Sequence, residues 1–112
     1  MLAPGKIWPG SQLDITISFK DGNGTPVDPD TVTFKLMSSE WSERSYTYGA
    51  DSEISKQSVG NYTARITPDR AGRWHYRWET TGDGTTLASE GDFLVQRSPF
   101  TNDPDTYYRD YR

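Results

Sequence analysis

The chain contains no cysteine, so no disulfide and no thiolate metal site exists, and the fold must rest on packing alone. Histidine occurs only at His75, which excludes a multi-histidine metal site and any His-paired nucleophile within one chain. No apolar run approaches the roughly 20 residues of a membrane span, and the opening MLAPGKIWPG has no apolar stretch of signal-peptide length. The expectation is neither export by the usual route nor membrane insertion, consistent with assembly in a bacterial cytoplasm. A basic excess is also missing: 12 Lys and Arg face 16 Asp and Glu, for a net charge of -4. Without a concentrated basic surface, nucleic acid is not an expected partner. Helical periodicity of useful length and internal repeats are absent too, which argues against bundles and solenoids.

What the chain does contain is aromatic weight in a β pattern. Hydrophobic residues make up only 32% of the chain while 13% of it is aromatic, so a few large side chains must carry the core. From Arg73 to Glu79 the alternation is strict, with Trp74, Tyr76 and Trp78 on one face and Arg73, His75, Arg77 and Glu79 on the other. Leu13, Ile15, Ile17 and Phe19 alternate in the same way, as do Val32, Phe34 and Leu36, then Tyr62, Ala64 and Ile66 with Asn61, Thr63 and Arg65 outward. Phe93 and Val95 close the series. Asp21-Gly22-Asn23-Gly24, Thr67-Pro68-Asp69 and Gly82-Asp83-Gly84 break the strands.

Between Ser38 and Gln57 the pattern is less regular. Arg44 to Tyr48 and Glu53 to Gln57 read as two short strands around a Gly49-Ala50-Asp51 turn, with a short helix around Glu40 as an alternative feature. Seven or so short strands with near-regular turns predict an all-β fold, a single immunoglobulin-like β-sandwich. Its boundaries are a lead-in over 1–10, the sandwich over 11–97 and an extended C-terminal arm over 98–112. The expected structural core is Phe34, Tyr62, Trp74, Tyr76, Trp78 and Phe93.

Catalytic chemistry finds little support. The loop from Asp21 to Thr25 has the oxygen alternation of a calcium site, but Pro26 and Val32 stand where such a loop needs glycine and a bidentate glutamate, so a plain turn is expected. Glu90 and Asp92 share a strand face, yet two carboxylates without a deep cleft do not make a glycosidase. His75 reads as a surface residue. Arg65, Arg70, Arg73 and Arg77 read as a solvated face pairing with acids such as Glu79 and Asp69. No enzyme, metal or cofactor is expected.

The arm differs in kind. SPFTNDPDTYYRDYR loses alternation and carries Pro99 and Pro104, which oppose sheet and helix alike. Phe100, Tyr107, Tyr108, Arg109 and Tyr111 are residue types enriched at interface hot spots, and they are the expected partner-binding residues.

Asp21-Gly22-Asn23-Gly24-Thr25-Pro26-Val27-Asp28-Pro29 before Thr-Val-Thr-Phe, Tyr46-Thr47-Tyr48-Gly49, Gly60-Asn61-Tyr62, Ala71-Gly72-Arg73-Trp74-His75-Tyr76-Arg77-Trp78-Glu79 and Glu90-Gly91-Asp92-Phe93-Leu94-Val95 follow one another in order. Over most of residues 11–97 this run resembles the small immunoglobulin-like structural proteins of tailed bacteriophages. The resemblance implies a virion protein, present in multiple copies in a symmetric particle and docked on capsid, portal, adaptor or tail proteins at the head-tail neck or the capsid exterior. It implies no active site, and the arm lies outside it. A second expectation is a ligand-binding module for host-surface glycans, with Trp41, Tyr46 or Tyr48 stacking on sugars; against it, Tyr46 and Tyr48 alternate like core residues and Trp41 could cover a sandwich edge.

Overall fold

The computed structural model describes residues 6–82 and 86–100. They form seven strands and no helix: β1 (Leu13–Ser18), β2 (Thr31–Met37), β3 (Glu43–Thr47), β4 (Ile54–Ser58), β5 (Asn61–Ile66), β6 (Gly72–Thr81) and β7 (Leu87–Val95). Strands β1-β5-β4 make one antiparallel sheet and β3-β2-β6-β7 the other. Period-two alternation explains the pairing, since it gives each strand one apolar face to bury. The two sheets share one core as a β-sandwich. It is built from Val32, Phe34, Leu36, Trp74, Trp78 and Val95 on one side and Ile54, Tyr62, Ala64 and Ile66 on the other, with Phe19 beside β1.

Register places the aromatics against each other. Phe34 lies opposite Trp78 across β2 and β6, and Trp74 opposite Phe93 across β6 and β7. The Phe34 and Trp78 rings meet edge to face at 4.8 Å, and the Trp74 and Phe93 rings stack at 6.1 Å. Phe34, Tyr62, Trp74 and Trp78 are fully buried, whereas Tyr76 and Phe93 are half-buried and pack against the core from its margin. A Cβ at Gly91 would collide with the Tyr76 ring, so glycine there is what lets that ring lie across β7. Trp74 donates its indole N–H to the Arg70 carbonyl at 3.0 Å, while the Trp78 indole N–H is buried without a partner among the described residues.

The turns use their side chains on backbone. Asp21 accepts from the amides of Asn23 at 2.8 Å and Thr25 at 3.0 Å, so its carboxylate holds a turn. Asp51 accepts from the Thr47 amide at 2.8 Å, which ends β3 at Thr47 rather than Tyr48 and delays β4 to Ile54. Around Glu40 there is a turn and not a helix: Ser38 Oγ accepts from the amides of Glu40 and Ser42 at 3.2 and 3.1 Å. Thr63, expected outward, is 8% exposed because its hydroxyl donates to the Gln57 side chain folded over it at 2.7 Å.

Asp28 clips the long β1–β2 connection to the three-stranded sheet. Its carboxylate accepts from Lys56 Nζ at 2.7 Å, the Gly60 amide at 2.8 Å and the Tyr62 hydroxyl at 3.0 Å. These donors, Lys56 foremost, hold the Asp28 carboxyl below its ordinary range. Burial, followed by the hydrogen bond to Asp28, pushes the Tyr62 phenol up to about 12. Gly60 has φ of 79°, and a Cβ there would sit 2.6 Å from the Phe19 carbonyl oxygen, so no other residue fits that corner unstrained.

The sheets are unequal in width, which leaves one side less covered. Ile7 makes a lone parallel bridge to Val95, and the Gln96 amide donates to its carbonyl at 2.6 Å. Beyond that bridge the edge strand β7 has exposed Leu87 and Leu94, and the apolar residues of edge strand β1 are only half-buried.

Candidate functional site

The outer face of the four-stranded sheet divides into two parts. Toward the β7 edge, charges neutralise one another across neighbouring strands. Arg77 donates to Glu79 and Glu90, both at 2.6 Å, Lys35 pairs with Glu79 at 3.2 Å and Arg73 with Asp92 at 3.5 Å. Arg77 first and then Lys35 hold the Glu79 carboxyl below its usual range. The remaining arginines follow suit: Arg65 is bidentate to Asp14 at 2.9 and 3.1 Å, and Arg70 pairs with Glu40 at 3.0 Å. The arginine-rich stretch is therefore a network of surface ion pairs, which leaves little free positive charge for an anionic partner.

Near the β2–β3 turn the face is different. Trp41 is 72% exposed and its backbone has φ of 65°, the one non-glycine residue with positive φ among those described. For a bulky side chain this is a strained conformation, of a kind that collects at binding and catalytic sites. The turn that enforces it is tightly made: the Trp41 amide donates to the Ser38 carbonyl at 2.9 Å, the Ser38 amide to the Ser42 carbonyl at 2.9 Å, and Ser38 Oγ takes the two amides already described. The indole lies nearly parallel to the His75 ring, 5.6 Å between centroids and 13° between planes.

The stack walls a groove of about 250 Å³ whose other lining residues include Met37, Lys35, Glu43, Arg77 and Glu90. His75 is thus half-buried beneath Trp41 instead of a bare surface residue. The signal that could have found this pair was a tryptophan in a Ser-Glu-Trp-Ser turn following a strand that lies beside His75. Register puts Met37 opposite His75, so the turn after Met37 delivers its side chains over that histidine.

The remaining candidates lie elsewhere. Tyr46 packs half-buried on the core, and Tyr48, 43% exposed, sets its ring edge against Tyr62 at 5.2 Å, so neither joins Trp41. Phe100 is 94% exposed just after the last strand, its amide donating to Ser98 Oγ at 3.1 Å. Tyr107, Tyr108, Arg109 and Tyr111 lie outside the described residues. A broader depression of about 480 Å³ on the three-stranded sheet is lined by Asp14, Glu53, Gln57, Thr63 and Arg65. Most of its polar groups are engaged with one another, Arg65 with Asp14 and Thr63 with Gln57. Among the described residues no cluster of three or more His, Asp or Glu side chains could hold a metal ion. No family model, curated protein or solved structure matches the chain.

Proposed function

We propose that this chain is a non-enzymatic structural protein of a tailed-phage virion, an immunoglobulin-like sandwich that docks onto neighbouring virion proteins in many copies. Capsid, portal, adaptor or tail proteins are its partners, and it is assembled in the bacterial host cytoplasm. The strand order supports the immunoglobulin-like part: β1-β5-β4 follows B-E-D, and β3-β2-β6-β7 follows C′-C-F-G. The Trp74 bond back to the Arg70 carbonyl resembles a tyrosine corner at the start of strand F, with indole in place of phenol.

The observation that carries the docking part is Phe100, 94% exposed just beyond the end of β7. A fully exposed phenylalanine contributes nothing to the sandwich and much to a contact that desolvates it. Deleting residues 99–112 is expected to leave a folded domain, because the core found among the described residues ends at Val95. The truncated protein is expected to keep its thermal transition and to be lost from purified particles made in a complementation assay. Normal incorporation of the truncated chain would sink the reading.

A further inference from the structure

We infer that the groove beside Trp41 is a carbohydrate site, taking one pyranose ring of a neutral saccharide against the indole. The inference is independent of the docking arm and rests on three features that the fold itself does not need. The first is the strained, exposed tryptophan: left-handed backbone at a bulky residue costs on the order of 1–3 kcal/mol, and a side chain 72% exposed recovers little of that by burial. The second is rigidity. Ser38 ties down the turn through its own backbone and hydroxyl, and His75 backs one face of the indole, so the indole is held in place at the rim of the groove.

The third is a set of uncommitted polar groups. Across most of this sheet face the charged side chains are paired, yet the Trp41 indole N–H, the Glu43 carboxylate and the His75 ring nitrogens make no hydrogen bond or ion pair among the described residues. A donor, an acceptor and an imidazole that can serve as either stand around an apolar wall. That combination matches a sugar ring, which has one C–H face for an aromatic plane and a rim of hydroxyls that both donate and accept.

Charge balance selects a neutral ligand. The groove is lined by two cations, Lys35 and Arg77, and two carboxylates, Glu43 and Glu90. A protein partner's arginine would also stack on Trp41, but a guanidinium only donates and leaves the Trp41 indole N–H without an acceptor, whereas a rim of hydroxyls satisfies donor and acceptor alike. The volume of about 250 Å³ suits a single ring and not an extended buried ligand.

The test follows the indole N–H signals of the 15N-labelled full chain by NMR during titration with methyl glycosides of glucose, galactose, mannose, rhamnose and N-acetylglucosamine, each to about 50 mM, enough to detect millimolar binding. At least one sugar is expected to shift the Trp41 signal saturably while leaving Trp74 and Trp78 in place. Trp41→Ala, with unchanged Trp74 and Trp78 signals as its check on folding and with binding followed through the backbone amides of Glu43 and His75 in the same spectra, should weaken that binding at least about tenfold, and Glu43→Gln by a smaller factor. Protein lacking residues 99–112 should bind the sugar as the full chain does, which separates this site from the docking arm. The inference is overturned if no sugar moves the Trp41 signal, if Trp41→Ala binds undiminished, or if only an arginine-containing peptide moves it.

Discussion

Trp74 and Trp78 stand on the inner face of a regular strand, buried among Phe34, Tyr62 and Val95, whereas Trp41 stands on the outer side, exposed, on a turn that holds its backbone in a left-handed conformation. The chemistry of the side chain is the same in both places, and the physics is opposite. For the inner pair, burial of a large apolar surface explains why tryptophan is there. For Trp41 burial explains little, and the backbone cost makes the position harder to account for by stability alone. A residue that the fold tolerates at a cost, and does not require, is where a binding role is best sought.

Paired alanine substitutions test that contrast most directly. Trp74→Ala removes a fully buried indole and its hydrogen bond to Arg70, and should cost about 3–5 kcal/mol. Trp41→Ala should change stability by no more than about 0.5 kcal/mol in either direction, as for an exposed position away from the core. Urea unfolding of the two variants measures both. A loss for Trp41→Ala comparable to that for Trp74→Ala would mean that the stack on His75 is structural, and the contrast would collapse.

The inner face was readable from the sequence because alternation has a period of two and burial follows it. Val32, Phe34 and Leu36, and Trp74 and Trp78, are buried where that alternation puts them, and β2 spans Thr31–Met37 as its pattern demands. Alternation does not register how wide each sheet is. Tyr76 and Phe93 therefore carry the core pattern but lie at its margin, next to the uncovered edge. Nor does it register side chains that fold back, such as Gln57 over Thr63. The Trp41 groove was the least legible part: Trp41 stood out as an exposed-aromatic candidate, but its partner His75 lies 34 positions away and the contact depends on a turn conformation. Periodicity carries no information about a single left-handed residue. The arm's Tyr107, Tyr108, Arg109 and Tyr111 lie outside the described residues, and of that group only Phe100 is placed.

The interior should also announce itself at alkaline pH. Tyr62 is buried and donates to Asp28, and its phenol is pushed up to about 12. A folded value above the ordinary one of about 10 means that the protonated phenol stabilises the fold. This contribution is fully present below pH of about 10 and is lost as pH rises through about 12. Stability measured by denaturant unfolding should therefore fall over that interval, and Tyr62→Phe should flatten the fall while lowering stability near neutrality through loss of the bond to Asp28. An unchanged slope in Tyr62→Phe would show that the alkaline loss arises elsewhere.

The smallest effect distinguishes the two inner tryptophans from each other. Phenylalanine in either position deletes a similar part of the indole and opens a similar void, so the cavity terms nearly cancel in the comparison. What differs is the N–H: that of Trp74 is bonded to the Arg70 carbonyl at 3.0 Å, and that of Trp78 is buried without a partner among the described residues. Trp74→Phe loses a hydrogen bond worth about 1 kcal/mol, whereas Trp78→Phe removes an unpaired donor whose burial costs about 1–3 kcal/mol. Trp78→Phe should accordingly be the milder substitution by about 2–4 kcal/mol in unfolding free energy. An equal or larger loss at Trp78 would mean that its N–H has a hydrogen-bond partner after all, a buried water being the natural one, and the two indoles would then differ in position but not in how completely the core satisfies them.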